Sequence, residues 1–341
     1  MYKLALQQID AFFAAIAEKY PLYLPVDTNG VSSFQMWKSG AVLSQALHAD
    51  RSIKDFFFPQ TENLMDFQIQ GKKIQVIDTR TPLEDFVIFG ARACDVRSLD
   101  ILDRVFLCEP ADTYYGQRRA HGIIFAIACN KPAETCFCGT FGIDAAQPQG
   151  DVVCWQTEQM LYLDPRTARG ETVLQAVHNL LQDAQPEDVF PQQQIIRERL
   201  AKLPLASLRA TAFGSEKTEE FFDDPAWDSL SSSCLGCGAC TFVCPTCQCY
   251  DIKDFQTGHG VKRFRCWDSC MYSEFTKMSA GQPRLTQKER FRQRFMHKLV
   301  YYPTNQDGLF SCVGCGRCLV KCPIQMNIVK VMKTLGGNAH D

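Results

Sequence analysis

Apolar positions in the first 205 residues follow two patterns, one typical of helices and one typical of buried strands. Near-helical spacing predicts two amphipathic helices, one through Leu4, Ile9, Phe12, Phe13 and Ile16 and one through Val173, Val177, Leu180 and Leu181. Short runs rich in Val, Ile and Phe predict buried strands over residues 73–77, 86–93 and 123–128. The second run leads into a helix start with Asp95 as its cap. Strand, helix and strand form a βαβ unit, so we expect a parallel sheet and an α/β domain.

From residue 229 onward the pattern changes, and strand alternation is absent from both copies of a cysteine motif described below. The stretch between the copies is largely helical in character, so we expect a mainly α-helical second domain. Residues 288–298 form a predicted helix with Phe291, Phe295 and Leu299 on one side and basic residues on the other. The simpler interpretation is that the aromatic stripe packs on the core while the basic side faces the clusters or a partner. Nucleic-acid binding by the basic side is the alternative.

The charges divide at the same place as the pattern. Residues 229–341 contain 15 Lys and Arg against 7 Asp and Glu, whereas the preceding part contains 21 against 31. A stretch rich in Ser, Thr, Gly and Glu separates the two parts, and it includes the dipeptide Asp224-Pro225. We therefore expect an α/β domain over residues 1–205, a linker over 206–228 and a second domain over 229–341.

Composition excludes several classes of protein. The chain has 341 residues, 46 % hydrophobic and 22 % charged, with a net charge of −2. That mixture is globular, and it is not a polycation that coats nucleic acid. Its apolar runs are too short to span a membrane, and its first 20 residues lack the pattern of a signal peptide. Eighteen cysteines in a chain with these features indicate a cytoplasmic protein that binds metal through thiolates.

Eight of those cysteines belong to an internal repeat. Residues 233–245 and 311–323 are identical at 8 of 13 positions, and each contains C-x2-C-x2-C-x3-C-P. This is the bacterial ferredoxin spacing for [4Fe–4S] clusters, in which the fourth cysteine serves the other cluster. We expect one cluster on Cys234, Cys237, Cys240 and Cys322, and a second on Cys312, Cys315, Cys318 and Cys244. Structural zinc and simple packing are the alternatives, but zinc favours two separated cysteine pairs.

A second set of cysteines lies in the α/β part. Cys94 and Cys129 each follow the end of a predicted strand, and Cys136 and Cys138 lie in the loop after the latter. Ligands of open α/β sheets bind at the carboxyl ends of the strands, so these four cysteines are candidates for a third iron–sulfur cluster. Burial as free thiols is the alternative. Cys247, Cys249, Cys266 and Cys270 form a further group, for which we favour packing beneath the clusters or tuning of them over a further metal site.

The sequence resembles an iron–sulfur protein family whose members include the beta subunit of soluble NAD(P)-linked sulfhydrogenases and the corresponding iron–sulfur subunit of anaerobic sulfite reductase. The resemblance runs nearly end to end. It is carried by FFFP at 56–59, FVIFGARACD at 86–95, CFC at 136–138, CPTCQCY at 244–250, RFRQRFMHK at 290–298 and CVGCGRC at 312–318.

The resemblance implies an α-helical ferredoxin domain and a role in electron transfer. The partners it implies are a subunit that binds flavin and NAD(P) and a separate catalytic subunit, in a hetero-oligomer without nucleic acid or membrane. No G-x-G-x-x-G or P-loop occurs in the chain, in agreement with a flavin on another subunit. Two other functions stay open, a stand-alone iron–sulfur enzyme with its site in the α/β domain and an iron–sulfur sensor. The terminal substrate and the direction of electron flow are not encoded in any motif.

Overall fold

The computed structural model describes residues 1–44 and 49–337, and these ranges contain two β-sheets and a set of short helices. The strands are β1 Tyr2–Ala5, β2 Leu22–Thr28, β3 Val31–Met36, β4 Thr61–Gln70, β5 Lys73–Asp78, β6 Phe86–Ala91, β7 Gly122–Ile127, β8 Val152–Gln156, β9 Met160–Pro165, β10 Gln182–Asp183, β11 Tyr250–Thr257 and β12 Gly260–Trp267.

The helices of the first part are α1 Ile9–Ala17, α2 Lys54–Phe57, α3 Ala93–Phe106, α4 Thr113–His121, α5 Ala168–Gln175 and α6 Phe190–Ala201. Those that follow are α7 Thr218–Phe221, α8 Ala226–Ser231, α9 Ala239–Phe242, α10 Gln287–Met296, α11 Tyr302–Asn305, α12 Arg317–Lys321 and α13 Ile328–Leu335. A π-helical turn, His297–Tyr301, joins α10 to α11. None of the helices in the described ranges is both long and apolar enough to cross a membrane.

The larger sheet confirms the predicted α/β fold of the first part. Its strand order is β10-β1-β9-β8-β7-β6-β2-β3, in which β2, β6, β7 and β8 are parallel and the outer strands antiparallel. Both faces are covered, because successive residues of β7 enter different cores: Ile123 and Phe125 face α1 and α5, whereas Ile124 faces α2 and α3. The predicted βαβ unit runs from β6 through α3 and α4 to β7. Strand β8 then continues the parallel arrangement, and β9 pairs with β8 in the antiparallel direction.

Several details of the first part differ from the sequence prediction. Leu4, which the spacing placed in the first helix, lies in strand β1. Residues 73–77 do form a strand, but β5 is largely exposed rather than buried. Helix α3 begins at Ala93 with Arg92 as its N-cap, and Asp95 occupies the third helical position. There the Asp95 carboxylate accepts a hydrogen bond from the Arg92 N–H at 3.3 Å, so Asp95 caps the helix reciprocally instead of starting it.

The second part contains a β-hairpin that the helical expectation missed. Strands β11 and β12 pair with each other, and β12 pairs with β4, so the second sheet has the order β11-β12-β4-β5. The prediction of helix between the cysteine motifs is therefore wrong for residues 250–267. Alternation along β12 and the Thr-Gly-His-Gly turn at 257–260 are strand and hairpin signals. The sheet is anchored by buried Arg265, whose Nε donates to Glu62 on β4 at 2.7 Å.

A third hydrophobic core underlies the cysteine motifs. Helices α8, α10 and α13 contribute to it through Trp227, Phe291, Phe295 and Met332. The predicted helix at 288–298 is confirmed by α10 and its π-helical continuation, with the aromatic stripe buried. Residues 206–228 also supply buried side chains to this core, among them Phe213 and Phe221.

Candidate iron–sulfur centres

The first cysteine motif curls around a small cavity. Gly236 and Gly238 have φ of 65° and 74°, left-handed conformations that glycine adopts without a steric penalty. They turn the chain tightly before α9 begins. The cysteines that line the resulting cavity are Cys234, Cys237, Cys240 and, from the second motif, Cys322. These are the four residues that the cysteine spacing assigns to one cluster.

The second motif forms a similar cavity deeper in the protein. Its cysteines are Cys312, Cys315, Cys318 and, from the first motif, Cys244. Gly314 has φ of 59°, and a Cβ atom there would lie 2.4 Å from the carbonyl oxygen of Phe137. The Phe137 N–H donates to the Gly314 carbonyl at 2.8 Å, so this motif packs directly on the 136–138 loop.

The two cavities differ in their exposure. Cys237 is exposed in the first, and its neighbour Leu235 is 67 % exposed. In the second, Cys244 and Cys315 are buried. A cofactor in the first cavity would therefore lie near the protein surface, and one in the second would be enclosed.

Arg294 on α10 lines both cavities. Its side chain is buried, and one terminal nitrogen donates to the Cys240 carbonyl at 2.8 Å. Its other terminal nitrogen and Nε have no hydrogen-bond partner in the described part of the chain. A buried guanidinium whose donors lack partners is stable only beside an anion, because an unpaired buried charge is costly in free energy. A [4Fe–4S] cluster with four thiolates is such an anion. Burial lowers the pKa of Arg294, but the surrounding thiolates, led by Cys240, raise it by more.

Lys298 is a second buried cation, one helical turn after Arg294. Its ammonium donates to the Thr246 hydroxyl at 2.8 Å and to the Ser311 carbonyl at 2.9 Å. Although burial lowers the pKa of Lys298, the nearby Cys244 and Cys247 thiolates raise it overall. Burial raises the pKa of Cys312 to about 12, so that thiol stays protonated until a metal displaces its proton. The donor set thus fits an iron–sulfur cluster with buried positive charge beside it.

The four cysteines of the α/β part lie in one neighbourhood beside the second cavity. Cys94 is in the first turn of α3, Cys129 follows β7, and Cys136 and Cys138 flank Phe137. Burial is the main cause of a raised pKa for each thiol, and charge interactions link Cys138 to Cys136 and Cys129, and Cys94 to Cys138.

A buried cation stands next to this neighbourhood as well. Arg317 interacts with both Cys94 and Cys315, and one of its terminal nitrogens is a buried donor without a hydrogen-bond partner among the residues that the structure describes. The backbone N–H groups of Cys138 and Gly139 also point to the Cys138 sulfur. These are the donors that stabilise cluster thiolates, so the set fits an anionic metal cofactor.

The remaining cysteines of the second part form close thiol pairs. Cys247 lies against Cys244, and Cys249 lies against Cys270, which donates to it from both side chain and backbone. Cys266, on β12, is apart from them and only partly buried.

A further buried cation, Lys54, lies above the turn between Cys244 and Cys247. Its ammonium donates to the carbonyls of both cysteines at 3.0 and 3.1 Å and lies 3.5 Å from the Trp267 ring centre. Burial lowers the pKa of Lys54 to about 8.

Within residues 1–44 and 49–337, no three His, Cys, Asp or Glu side chains are arranged to hold a single metal ion. The thiolates of a [4Fe–4S] cluster bind four different irons and therefore stand further apart than the ligands of one ion.

The sequence predicts a basic side of the helix at 288–298 that faces the clusters or a partner. The structure places Arg294 and Lys298 of that side at the cysteine cavities. The two residues are spaced i, i+4, and each lies beside the buried aromatic stripe. For Lys54 and Arg317 there is no comparable local signal.

Two comparisons with known proteins cover the cysteine motifs. Residues 233–326 match the family model of the 4Fe-4S dicluster domain, which spans both cysteine motifs. Over 335 residues the chain is 31 % identical to Sulfhydrogenase 2 subunit beta of Pyrococcus furiosus, an alignment that covers 97 % of this chain and 96 % of that protein.

Proposed function

Since the chain belongs to the iron–sulfur electron-transfer subunit family of the sulfhydrogenase beta subunit, we propose that it relays electrons between two partner subunits. One partner binds flavin and NAD(P), and the other is a catalytic subunit of hydrogenase or sulfite reductase type. The observation that carries this proposal is the spatial succession of three sets of cysteines: those of the first cavity, those of the second cavity and those of the α/β part. Arg294 lies between the first and second sets, and Arg317 lies between the second and third.

Under this proposal, the first cavity holds a [4Fe–4S] cluster on Cys234, Cys237, Cys240 and Cys322. The second cavity holds another on Cys312, Cys315, Cys318 and Cys244. Cys94, Cys129, Cys136 and Cys138 hold a third cluster. When bound, each cluster supplies a centre that accepts and releases one electron.

The surrounding protein determines how easily an electron enters each set. Buried Arg294, Lys298 and Arg317 offset negative charge, and their fixed positions stabilise the reduced state more than water could in so enclosed a site. Exposed Cys237 and Leu235 make the first set the natural point of contact with a partner. The chain has eighteen cysteines, and metal ligation by thiolates suits the reducing cytoplasm that we propose as its compartment.

A reduction assay with purified, iron-loaded chain under anaerobic conditions tests the relay. A hydride from NAD(P)H carries two electrons, which a flavin must separate before single-electron centres accept them. We therefore expect dithionite to bleach the visible absorption of the chain, and NADH or NADPH alone to leave it unchanged. Adding the flavin subunit should make bleaching by the nicotinamide fast.

The matched variants are Cys315→Ser in the second set and Cys108→Ser, which alters an exposed thiol outside all three sets. Cys315→Ser should slow turnover of the assembled complex while each partner keeps its activity with artificial dyes. Cys108→Ser should leave turnover unchanged. Oxidation of NAD(P)H by the chain alone at the rate of the complex would replace the relay with an enzyme that acts by itself.

A further inference from the structure

A cleft of about 430 Å³ opens at the carboxyl edge of the parallel strands, outside the three cysteine sets. Pro25 of β2, Gly90 of β6, Ile127 of β7 and Gln156 of β8 all line it. The carboxyl ends of adjacent parallel strands form the crevice in which open α/β sheets bind their ligands. The cleft volume lies within the range of small-molecule sites, and it is larger than the volume that a bare inorganic ion occupies.

The cleft carries an excess of positive charge. Arg92, Lys131 and Arg199 line it against a single carboxylate, that of Glu158, among the residues that the structure describes. Two of the cations are held in place by one loop, since Arg92 donates to the Ala128 carbonyl at 3.3 Å and Arg199 to the Asn130 carbonyl at 2.6 Å. A guanidinium has five donors in a fixed fork, so each of these arginines keeps donors for an anion.

Amide side chains in the cleft are fixed in orientation. The Gln192 amide donates to the Asn130 side-chain oxygen at 2.8 Å, and the Asn130 amide donates to the Gln156 carbonyl at 2.6 Å. A preformed row of polar groups beside the apolar Pro25 and Ile127 is typical of sites that orient an organic molecule.

We propose that this cleft binds a small organic anion with two negative charges, a phosphate monoester or a dicarboxylate. Three cations against one carboxylate complement a dianion, the amide row suits the polar body of the molecule, and the volume accommodates more than its charged group. The site also adjoins the electron relay, because the loop that carries Asn130 also carries Cys129, and Arg92 immediately precedes α3, which carries Cys94. A ligand bound there would lie at the end of the row of cysteine sets opposite the exposed first motif.

Titration calorimetry on the iron-loaded full chain tests the proposal with AMP, FMN and succinate as separate probes. Saturable one-to-one binding of AMP or FMN identifies a phosphate ester, and binding of succinate alone identifies a dicarboxylate. For the probe that binds, Arg199→Gln and Lys131→Gln should each weaken the affinity about tenfold, the loss expected for one charged contact. Arg197→Gln is the matched control, because Arg197 lies on the same helix and pairs with Asp144 instead. The affinity of this variant should stay within about twofold of wild type.

Two results would overturn the proposal: no binding of any probe with a Kd below about 1 mM, or equal affinities for the Arg199 and Arg197 variants. Because calorimetry registers binding without electron transfer, failure of the relay would leave these measurements unchanged. The two proposals can therefore fail separately.

Discussion

The guanidinium of Arg317, in the second cysteine motif, donates to the carboxylate of Asp95 in α3 at 2.7 Å, and both side chains are about 1 % exposed. The Arg317 Nε also donates to the Ala49 carbonyl at 2.9 Å. One buried cation therefore joins the second motif to the α/β part of the chain, in the space between Cys315 and Cys94.

Asp95→Asn should destabilise the protein by about 3 kcal/mol or more, because it leaves Arg317 buried without its carboxylate. Urea unfolding of the iron-loaded protein, followed by tryptophan fluorescence, measures the change. Asp307→Asn is the control, since Asp307 forms an exposed pair with Arg104 across the same two parts of the chain. Removing an exposed pair costs at most about 1 kcal/mol. Equal effects of the two substitutions would mean that burial does not strengthen the Arg317 contact.

Features of the fold and site that are defined within a short stretch of sequence could be predicted, whereas contacts between distant residues could not. The cysteine motifs and the β6-α3-β7 unit are defined within short stretches, so spacing and periodicity were sufficient to find them. Pairing of β12 with β4 joins strands that are distant along the chain, and no periodicity in either strand identifies the other. The burial of Arg317 has the same origin, since Asp95 is 222 positions away. Such contacts arise from the packing of the whole chain.

Ligation that crosses between the motifs predicts a specific pattern of damage. Cys322→Ser should perturb the paramagnetic resonance signal of the cluster on Cys234, Cys237 and Cys240, because Cys322 lines that cavity. Cys244→Ser should perturb the other signal, since Cys244 lies in the second cavity. Spectra of the dithionite-reduced variants, with Cys108→Ser as control, distinguish the two clusters. Damage confined to the motif that carries each substitution would contradict crossed ligation.

A third cluster on the cysteines of the α/β part would raise the iron content of the chain. The full chain should hold about twelve irons and as many labile sulfides, and Cys136→Ser combined with Cys138→Ser should remove about four of each. Metal and sulfide analysis after anaerobic reconstitution gives both numbers. The exposed Cys108 and the core residue Cys154 lie outside the three sets, and Cys108→Ser should leave the count unchanged. A wild-type count of about eight, unaffected by the double substitution, would mean that these thiols bind no cluster.

Arg294 should raise the reduction potentials of both clusters in the cysteine motifs, because its charge borders both cavities and stabilises the added electron. Arg294→Gln should therefore lower both potentials, and an interaction of about 1.4 kcal/mol corresponds to about 59 mV for one electron. A redox titration followed by paramagnetic resonance measures the shift. Lys288→Gln removes an exposed charge from the same helix and should change the potentials far less. Arg294→Lys should restore part of the loss, whereas a purely structural role for Arg294 would give no recovery with charge.

Cys249 and Cys266 lie near the same end of the β11-β12 hairpin but should differ in reactivity with pH. Cys270 donates to the Cys249 sulfur and thereby lowers the pKa of Cys249 to about 7, whereas burial raises the pKa of Cys266 above its usual range. Because only the thiolate attacks iodoacetamide, the alkylation rate of Cys249 should rise as pH increases through about 7, and that of Cys266 only at a higher pH than an ordinary thiol requires. Peptide mass spectrometry of the folded, iron-loaded protein at each pH resolves the two sites.

Cys270→Ala removes one of the two donors to Cys249 and should slow its alkylation at pH 7 several-fold, while Cys266→Ala should not. Identical pH profiles for Cys249 with and without the Cys270 thiol would show that the donated hydrogen bond does not control its protonation.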